Sequence, residues 1–157
     1  MLCRRATNGD AAQILQCFAE AFAPYREEYT DGAWNDTVLT SDTLQQRFQE
    51  MTVLVAVDEA GMVVGTVAYK LERDGETHLR GMAVRPGSHG LGVAQGLLDR
   101  VEADLRGMGC KVLTLDTTRP LQRAIRFYEK NGFRATGGVS EFYGMELFAY
   151  EKDMTAA

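Results

Sequence analysis

Residues 84–98 read VRPGSHGLGVAQGLL, with four glycines and one proline between two hydrophobic runs. Upstream, THLRGMAV (77–84) has the character of a strand. Downstream, Ala94, Leu97, Leu98, Val101 and Leu105 recur at helical spacing. The glycines therefore sit between a strand and the head of an amphipathic helix. The first N–H groups of a helix have no intrahelical partner, and the helix dipole adds partial positive charge there. Glycines remove the side chains that would hold an anion away, so the geometry suits a phosphate or diphosphate. A P-loop is excluded, because GVAQ supplies neither residue of the GK[ST] signature. A dinucleotide fingerprint would need glycine at Gln95 and would follow the strand at once, whereas RPGSH intervenes. Taken alone, the stretch also reads as a plain structural turn.

The totals narrow the setting. A chain of 157 residues fits a single domain, 1–157, able to bury its own core. A formal net charge of −5 argues against a broad nucleic-acid-binding face, so a bound polyanion must be held by local geometry. The apolar runs are too short to cross a bilayer, and MLCRRATNGDAAQ carries no leader-like apolar segment. Cys3, Cys17 and Cys110 show no CxxC pairing, which fits free thiols in a reducing cytoplasm. His78 and His89 have no partners at metal-ligand spacing, so no metal site is expected.

Along the chain, residues 2–6 suggest a short first strand and TNGD a turn. Asp10 stands where it can cap a helix with Ile14, Leu15, Phe18 and Phe22 on one face. Pro24 ends that helix, and 24–40 reads as a loop or broken helix. Ser41 or Asp42 opens another helix, its apolar side formed by Leu44, Phe48 and Met51. TVLVAV (52–57) and MVVGTVAYKLE (62–72) are strands joined by a DEAG turn, and RDGE leads into the strand at 77–84. After the glycine-rich helix come the buried-type strand KVLTLDT, a helix faced by Leu121, Ala124, Ile125 and Tyr128, and strands near 133–138 and 143–151. The class is α+β: a mixed, mostly antiparallel central sheet of six to seven strands, flanked by about four helices.

Two landmarks in this order resemble the GNAT superfamily of N-acetyltransferases. The first is [QR]xxGxG/A behind a LAVRP-like strand end, matched by His89, Gly90, Leu91, Gly92, Val93 and Ala94. The second is a tyrosine helix, matched by Ala124, Phe127, Tyr128, Glu129, Lys130, Gly132 and Phe133. The resemblance covers roughly residues 50–150, with one departure: His89 stands where the family has Arg or Gln. It implies acetyl-CoA as co-substrate and a primary amine, on a small molecule or a protein, as acceptor. The main chain of Met82, Ala83 and Val84 would hold the thioester and pantetheine, and residues 89–94 the diphosphate. Tyr128 would donate toward the departing thiolate, although its place on the apolar face also suits a core aromatic.

The attacking amine must first lose a proton. His78 and Glu76 lie two residues apart on the strand that leads to the site, sharing one face with Arg80 and Met82 on a regular alternation. A histidine near its usual pKa of about 6.5 is a competent base at neutral pH, and the choice between His78 and Glu76 stays open. Glu27, Tyr29, Trp34 and Tyr143, with Glu28, Asp31, Asp36 and Glu141, form an acidic and aromatic set suited to a cationic amine. A solvated surface is the other reading of that set. Arg85, Arg119, Arg123 and Arg126 are candidates for the phosphates of the cofactor. A non-catalytic acetyl-CoA-binding module stands as the alternative function, and the resemblance leaves room for a homodimer.

Overall fold

The alternation and turn chemistry noted above build seven strands in the computed structural model, which describes residues 1–155. They are β1 (Leu2–Arg5), β2 (Thr52–Val57), β3 (Val63–Arg73), β4 (Glu76–Val84), β5 (Val112–Thr118), β6 (Arg134–Phe142) and β7 (Met145–Asp153). One sheet runs in the order β1-β2-β3-β4-β5-β7-β6, antiparallel except for the β4–β5 pair. That pair is parallel because a helical crossover separates its strands, as parallel neighbours require. The helices are α1 (Ala11–Phe22), α2 (Asp31–Thr37), α3 (Ser41–Glu50), α4 (Val93–Gly107) and α5 (Gln122–Lys130). The stretch 24–40 is thus a broken helix: a 3-10 segment, Ala23–Glu28, followed by α2.

Each face of the sheet carries its own core. Leu97, Leu98, Val101 and Leu105 of α4 pack on Leu54, Val67, Leu79 and Leu113, with Tyr128 and Phe133 beside them. On the other face, Ile14, Cys17 and Phe18 of α1 and Leu44 of α3 meet Val53, Val55, Ala68 and Ala83. β2 therefore has a near-continuous hydrophobic run, since both of its faces are covered. Asp10 does not cap α1 with its side chain. Its carboxylate takes two hydrogen bonds from Arg4, at 2.8 and 3.0 Å, and one from the Thr7 N–H, tying β1 to the helix start. Arg4 holds the Asp10 carboxyl below the usual carboxylate range.

The feature that matters most for function is a bulge in β4. Thr66 pairs with Ala83 and Ala68 with Arg80, so Gly81 and Met82 together oppose a single residue of β3. Gly81 has φ +68°, a conformation open to glycine and costly elsewhere. The extra residue reverses the alternation. Leu79 faces the α4 core, but Ala83 faces α1, and Met82 and Val84 turn to the α4 side. Met82 consequently does not share a face with His78 and Arg80, as a regular strand would have it. Just ahead of the bulge β4 also parts from β5. Their pairing covers only Glu76–Val112, Thr77–Leu113 and His78–Thr114, while β5 runs on to Thr118.

Close approach of α4 to the sheet needs a second glycine. A Cβ at Gly65 of β3 would lie 2.6 Å from a Val93 methyl and 3.1 Å from a Leu97 methyl, with the Ala83 carbonyl at 3.3 Å. Gly65→Ala is expected to cost about 1–3 kcal/mol through overpacking, seen as a lower urea midpoint with an unchanged slope.

Candidate functional site

The turn Pro86–Ser88 carries the chain from β4 into His89, and the helix opens at Gly92. Gly92 is the N-cap with φ +77° and offers no side chain to cap the helix; Gly90 has φ +78°. The first α4 amide with an intrahelical acceptor is that of Gly96, which donates to the Gly92 carbonyl at 2.9 Å. The N–H groups from Gly90 to Gln95 meet no acceptor among the described residues. They open onto a cleft of about 510 Å³ whose far wall is α5, with Arg123, Arg126 and Lys130 on it. An array of bare amides, a helix dipole and three cations make this an anion cradle. His89 lines it too. Burial, then the charge of Arg123, lowers the His89 pKa against a hydrogen bond with Val84, so the imidazole is neutral at pH 7. Leu91 is 71% exposed and lies off the lining of the cleft.

Two of the arginines considered for the phosphates are engaged elsewhere. Arg85 is buried, pairs with Glu20 and donates to the Val63 carbonyl at 2.6 Å, fastening β4 to α1 and β3. Arg119 stacks over Phe148, 5.1 Å from the ring centroid, near Glu146.

Met82, Ala83 and Val84 form the inner wall of this cleft at the place where β4 leaves β5. A second cleft, about 470 Å³, lies on the other side of the same opening. The two share Phe22, Met82, Leu121, Ala124 and Tyr128, so they meet in the gap between the strands. Tyr128 is buried between Phe127 and Phe133, each ring 5.5 Å away and edge-on. Burial pushes its phenol far above the ordinary tyrosine value, and the hydroxyl has no hydrogen-bond partner among the described residues. A core aromatic of this depth is ordinary; a hydroxyl that opens onto the junction of two clefts, with no partner in the protein, is not.

His78 stands in the wall of the second cleft. Its Nδ1 is 2.8 Å from Thr114 Oγ1, at the last paired position of β4 and β5. Thr114 Oγ1 in turn donates to the Thr77 carbonyl at 3.4 Å. The His78 Nε2 faces Asp116, 3.6 Å away. Glu76 lies outside both linings and pairs with Arg73 at 3.2 Å. Of the acidic and aromatic set, Tyr29 lines the second cleft, its hydroxyl 2.6 Å from Thr118 Oγ1. Trp34 packs edge-on against Tyr29 beneath Arg26, outside the lining. Glu27 is exposed on the 3-10 segment. Tyr143 caps the β6–β7 turn with φ +50°, against Gly32, where its carbonyl accepts from the Thr30 hydroxyl at 2.6 Å.

The same cleft contains residues that sequence reasoning passed over or did not place there: Arg47, Glu72, Asp116 and Thr117, with Asp36 held by Arg80 at 2.7 Å. Asp116 and Arg47 had a legible signal, each a charge within an apolar pattern: LTLDT for one, Leu44–Arg47–Phe48 for the other. Thr117 did not. Its buried hydroxyl is unpartnered, a fact that only the fold reveals.

The comparison with family models identifies the family in which this geometry occurs. The model of the acetyltransferase (GNAT) family matches residues 14–133. The chain belongs to the GNAT family. An uncharacterised N-acetyltransferase of Mycobacterium tuberculosis is 34% identical over 77 residues, 49% of each chain. Mycothiol acetyltransferase of Propionibacterium freudenreichii is 30% identical over 129 residues, 79% of this chain and 40% of that protein. The chain thus spans about half the length, or less, of these curated relatives. Among solved structures, the PaiA N-acetyltransferase of Thermoplasma acidophilum, in complex with coenzyme A, superposes with a TM-score of 0.79. It is 19% identical over 97% of this chain and 98% of its own, a likeness of fold. No helix among the described residues is long and apolar enough to cross a membrane, and none of their His, Cys, Asp and Glu side chains gather in threes as for a metal.

The GNAT glycine loop can be tested apart from any ligand. A Cβ at Gly87 or Gly92 would meet nothing within 4 Å, but only Gly92 has positive φ. Gly92→Ala should lose about 1–2 kcal/mol of stability by backbone strain alone, and Gly87→Ala should stay within about 0.5 kcal/mol of the parent in the same urea titration.

Proposed function

We propose that this chain is an acetyl-CoA-dependent N-acetyltransferase that moves the acetyl group directly to an amine in a ternary complex. One observation carries the reading: the anion cradle and the second polar cleft open into one another at Tyr128. A non-catalytic acetyl-CoA-binding module would need the first cleft and not the second. The free thiols Cys3, Cys17 and Cys110 support a cytoplasmic setting.

In this reading the diphosphate of acetyl-CoA lies on the N–H groups of Gly90–Gln95, with Arg123, Arg126 and Lys130 near its phosphates. The pantetheine, peptide-like along its length, runs beside β4 at Met82, Ala83 and Val84, where pairing with β5 has stopped. A β4 N–H then faces the thioester oxygen as it gains negative charge; one such donor typically contributes about 2.7–4 kcal/mol to the transition state. The amine enters from the second cleft. Its nitrogen bonds to the thioester carbon, the C–S bond breaks, and the proton shed by nitrogen passes to His78 Nε2, directly or through water. Asp116 compensates the imidazolium as it forms.

Tyr128 completes the step at the sulfur. Proton transfer from a phenol to a thiolate is uphill by roughly 2 kcal/mol at reference values, and burial of Tyr128 makes it steeper. The hydroxyl therefore acts as a hydrogen-bond donor that the thiolate strengthens, and the proton itself arrives later from solvent.

Two measurements test this. Tyr128→Phe should bind acetyl-CoA within about threefold of the parent by calorimetry and lose on the order of 10²-fold in kcat; unchanged turnover would remove Tyr128 from the step. The pH dependence of coenzyme A affinity tests His89. Its pKa lies below the ordinary value, so the ring gains charge only at a pH below the usual histidine range. Binding by the parent should tighten over that interval relative to His89→Gln, whose own profile corrects for titration of the ligand. Parallel profiles would take His89 out of the cradle.

A further inference from the structure

α3 buries two side chains, Leu44 and Arg47. Arg47 retains 7% exposure and forms part of the wall of the second cleft. Among the described residues its guanidinium has no hydrogen-bond acceptor and no carboxylate at ion-pair distance. Its neighbours are the Phe18 ring, 5.9 Å from Cζ to centroid, and the bulge at Gly81, where a Cβ would collide with Nη1. The other buried arginine, Arg85, is held by Glu20, the Val63 carbonyl and the Gln13 carbonyl. Asp36, the acid nearest in influence, is taken by Arg80. Burial, and then the like charge of Arg80, pushes the Arg47 pKa down to about 10, which leaves it charged at neutral pH. The side chain is buried while its nitrogens open onto the cleft, a charge that the protein leaves unpaired where a ligand can reach it.

We infer that Arg47 receives a carboxylate of the acceptor, so that the substrate is a small amine bearing a carboxylate close to its reacting nitrogen. This rests on the acetyltransferase reading of the two clefts. A planar guanidinium fork matches a carboxylate better than any other small anion of single charge. Its position sets the spacing. Arg47 lies against Gly81, next to Met82, where the thioester is read to sit, so amine and carboxylate must be only a few bonds apart. Glu72, which also lines the cleft, is left for the ammonium, since Asp116 faces His78. An α- or β-amino acid fits this pattern of charges; the N-terminus of a protein, whose first carboxyl is an amide, does not.

The test uses the whole chain, acetyl-CoA, and matched pairs: each protein α-amino acid and β-alanine beside its primary amide. Thiol release and calorimetry on the coenzyme A complex are the two readouts. The acid of the responsive pair should exceed its amide by 10-fold or more in kcat/KM, carried by KM. Arg47→Met should erase that ratio and keep acetyl-CoA affinity, and Arg47→Lys should restore part of it. Amides that serve as well as acids, or a ratio untouched in Arg47→Met, overturn the inference and leave the acetyltransferase reading standing. Acids that neither react nor bind to the coenzyme A complex overturn it as well. Failure to bind acetyl-CoA at all overturns both. If Arg47→Met does not fold, the acid–amide ratio of the parent decides alone.

Discussion

Everything functional in this molecule depends on β4 being held to β5 for three residues and then released. Up to His78 the two strands are paired, and the His78–Thr114 contact marks the last rung. Past it, the bulge at Gly81 bends β4 and reverses its faces, as an added residue does in any pleated ladder. A regular strand would have continued the sheet and sealed the space. Instead the backbone groups of β4 toward β5 lack a strand partner, and polar backbone in a protein interior requires one. An extended, amide-bearing ligand arm is a natural occupant.

The electrostatics follow the same local logic. A chain of net charge −5 has no general attraction for a polyanion. The cradle works through short-range geometry: six consecutive amides without acceptors, the positive end of a 15-residue helix, and three side chains of α5. The arginines show how position separates structural from functional charge. Arg85 is saturated by partners from α1 and β3 and belongs to the fold. Arg47, equally buried, faces a cleft with nothing to hold.

The glycine-rich turn, the helical spacings and the succession of strands along the chain were legible in the sequence, because each follows from local periodicity or from a residue whose backbone freedom is local. GVAQ by itself rules out a P-loop. The reversal of β4 was not legible. One glycine in THLRGMAV gives no sign that its φ is positive, and that sign alone moves Met82 away from the face of His78. Glu76 and Arg85 carried the right chemistry but lie where other charges claim them. β6 runs further than its turn-rich sequence implies, through a bulge at Gly137, because β7 supplies a partner strand on one side. In each case the deciding contact is distant in sequence, and a local pattern holds no record of it.

Depth of burial explains the division of labour at the reacting centre. A buried tyrosine is a poor acid, and water at its hydroxyl would make it a better one at the expense of a weaker hydrogen bond to sulfur. The fold takes the first course: Tyr128 is enclosed by Phe127 and Phe133, so its hydroxyl is directed by packing and not by a polar network. The same enclosure would weaken a base, and the base of the proposed reaction, His78, lies outside it. His78 stands in the polar cleft, with Thr114 on one nitrogen and Asp116 facing the other. In the proposed reaction, Tyr128 and His78 thus line one opening in different surroundings, the phenol among rings and the imidazole among polar groups, each suited to the role assigned to it.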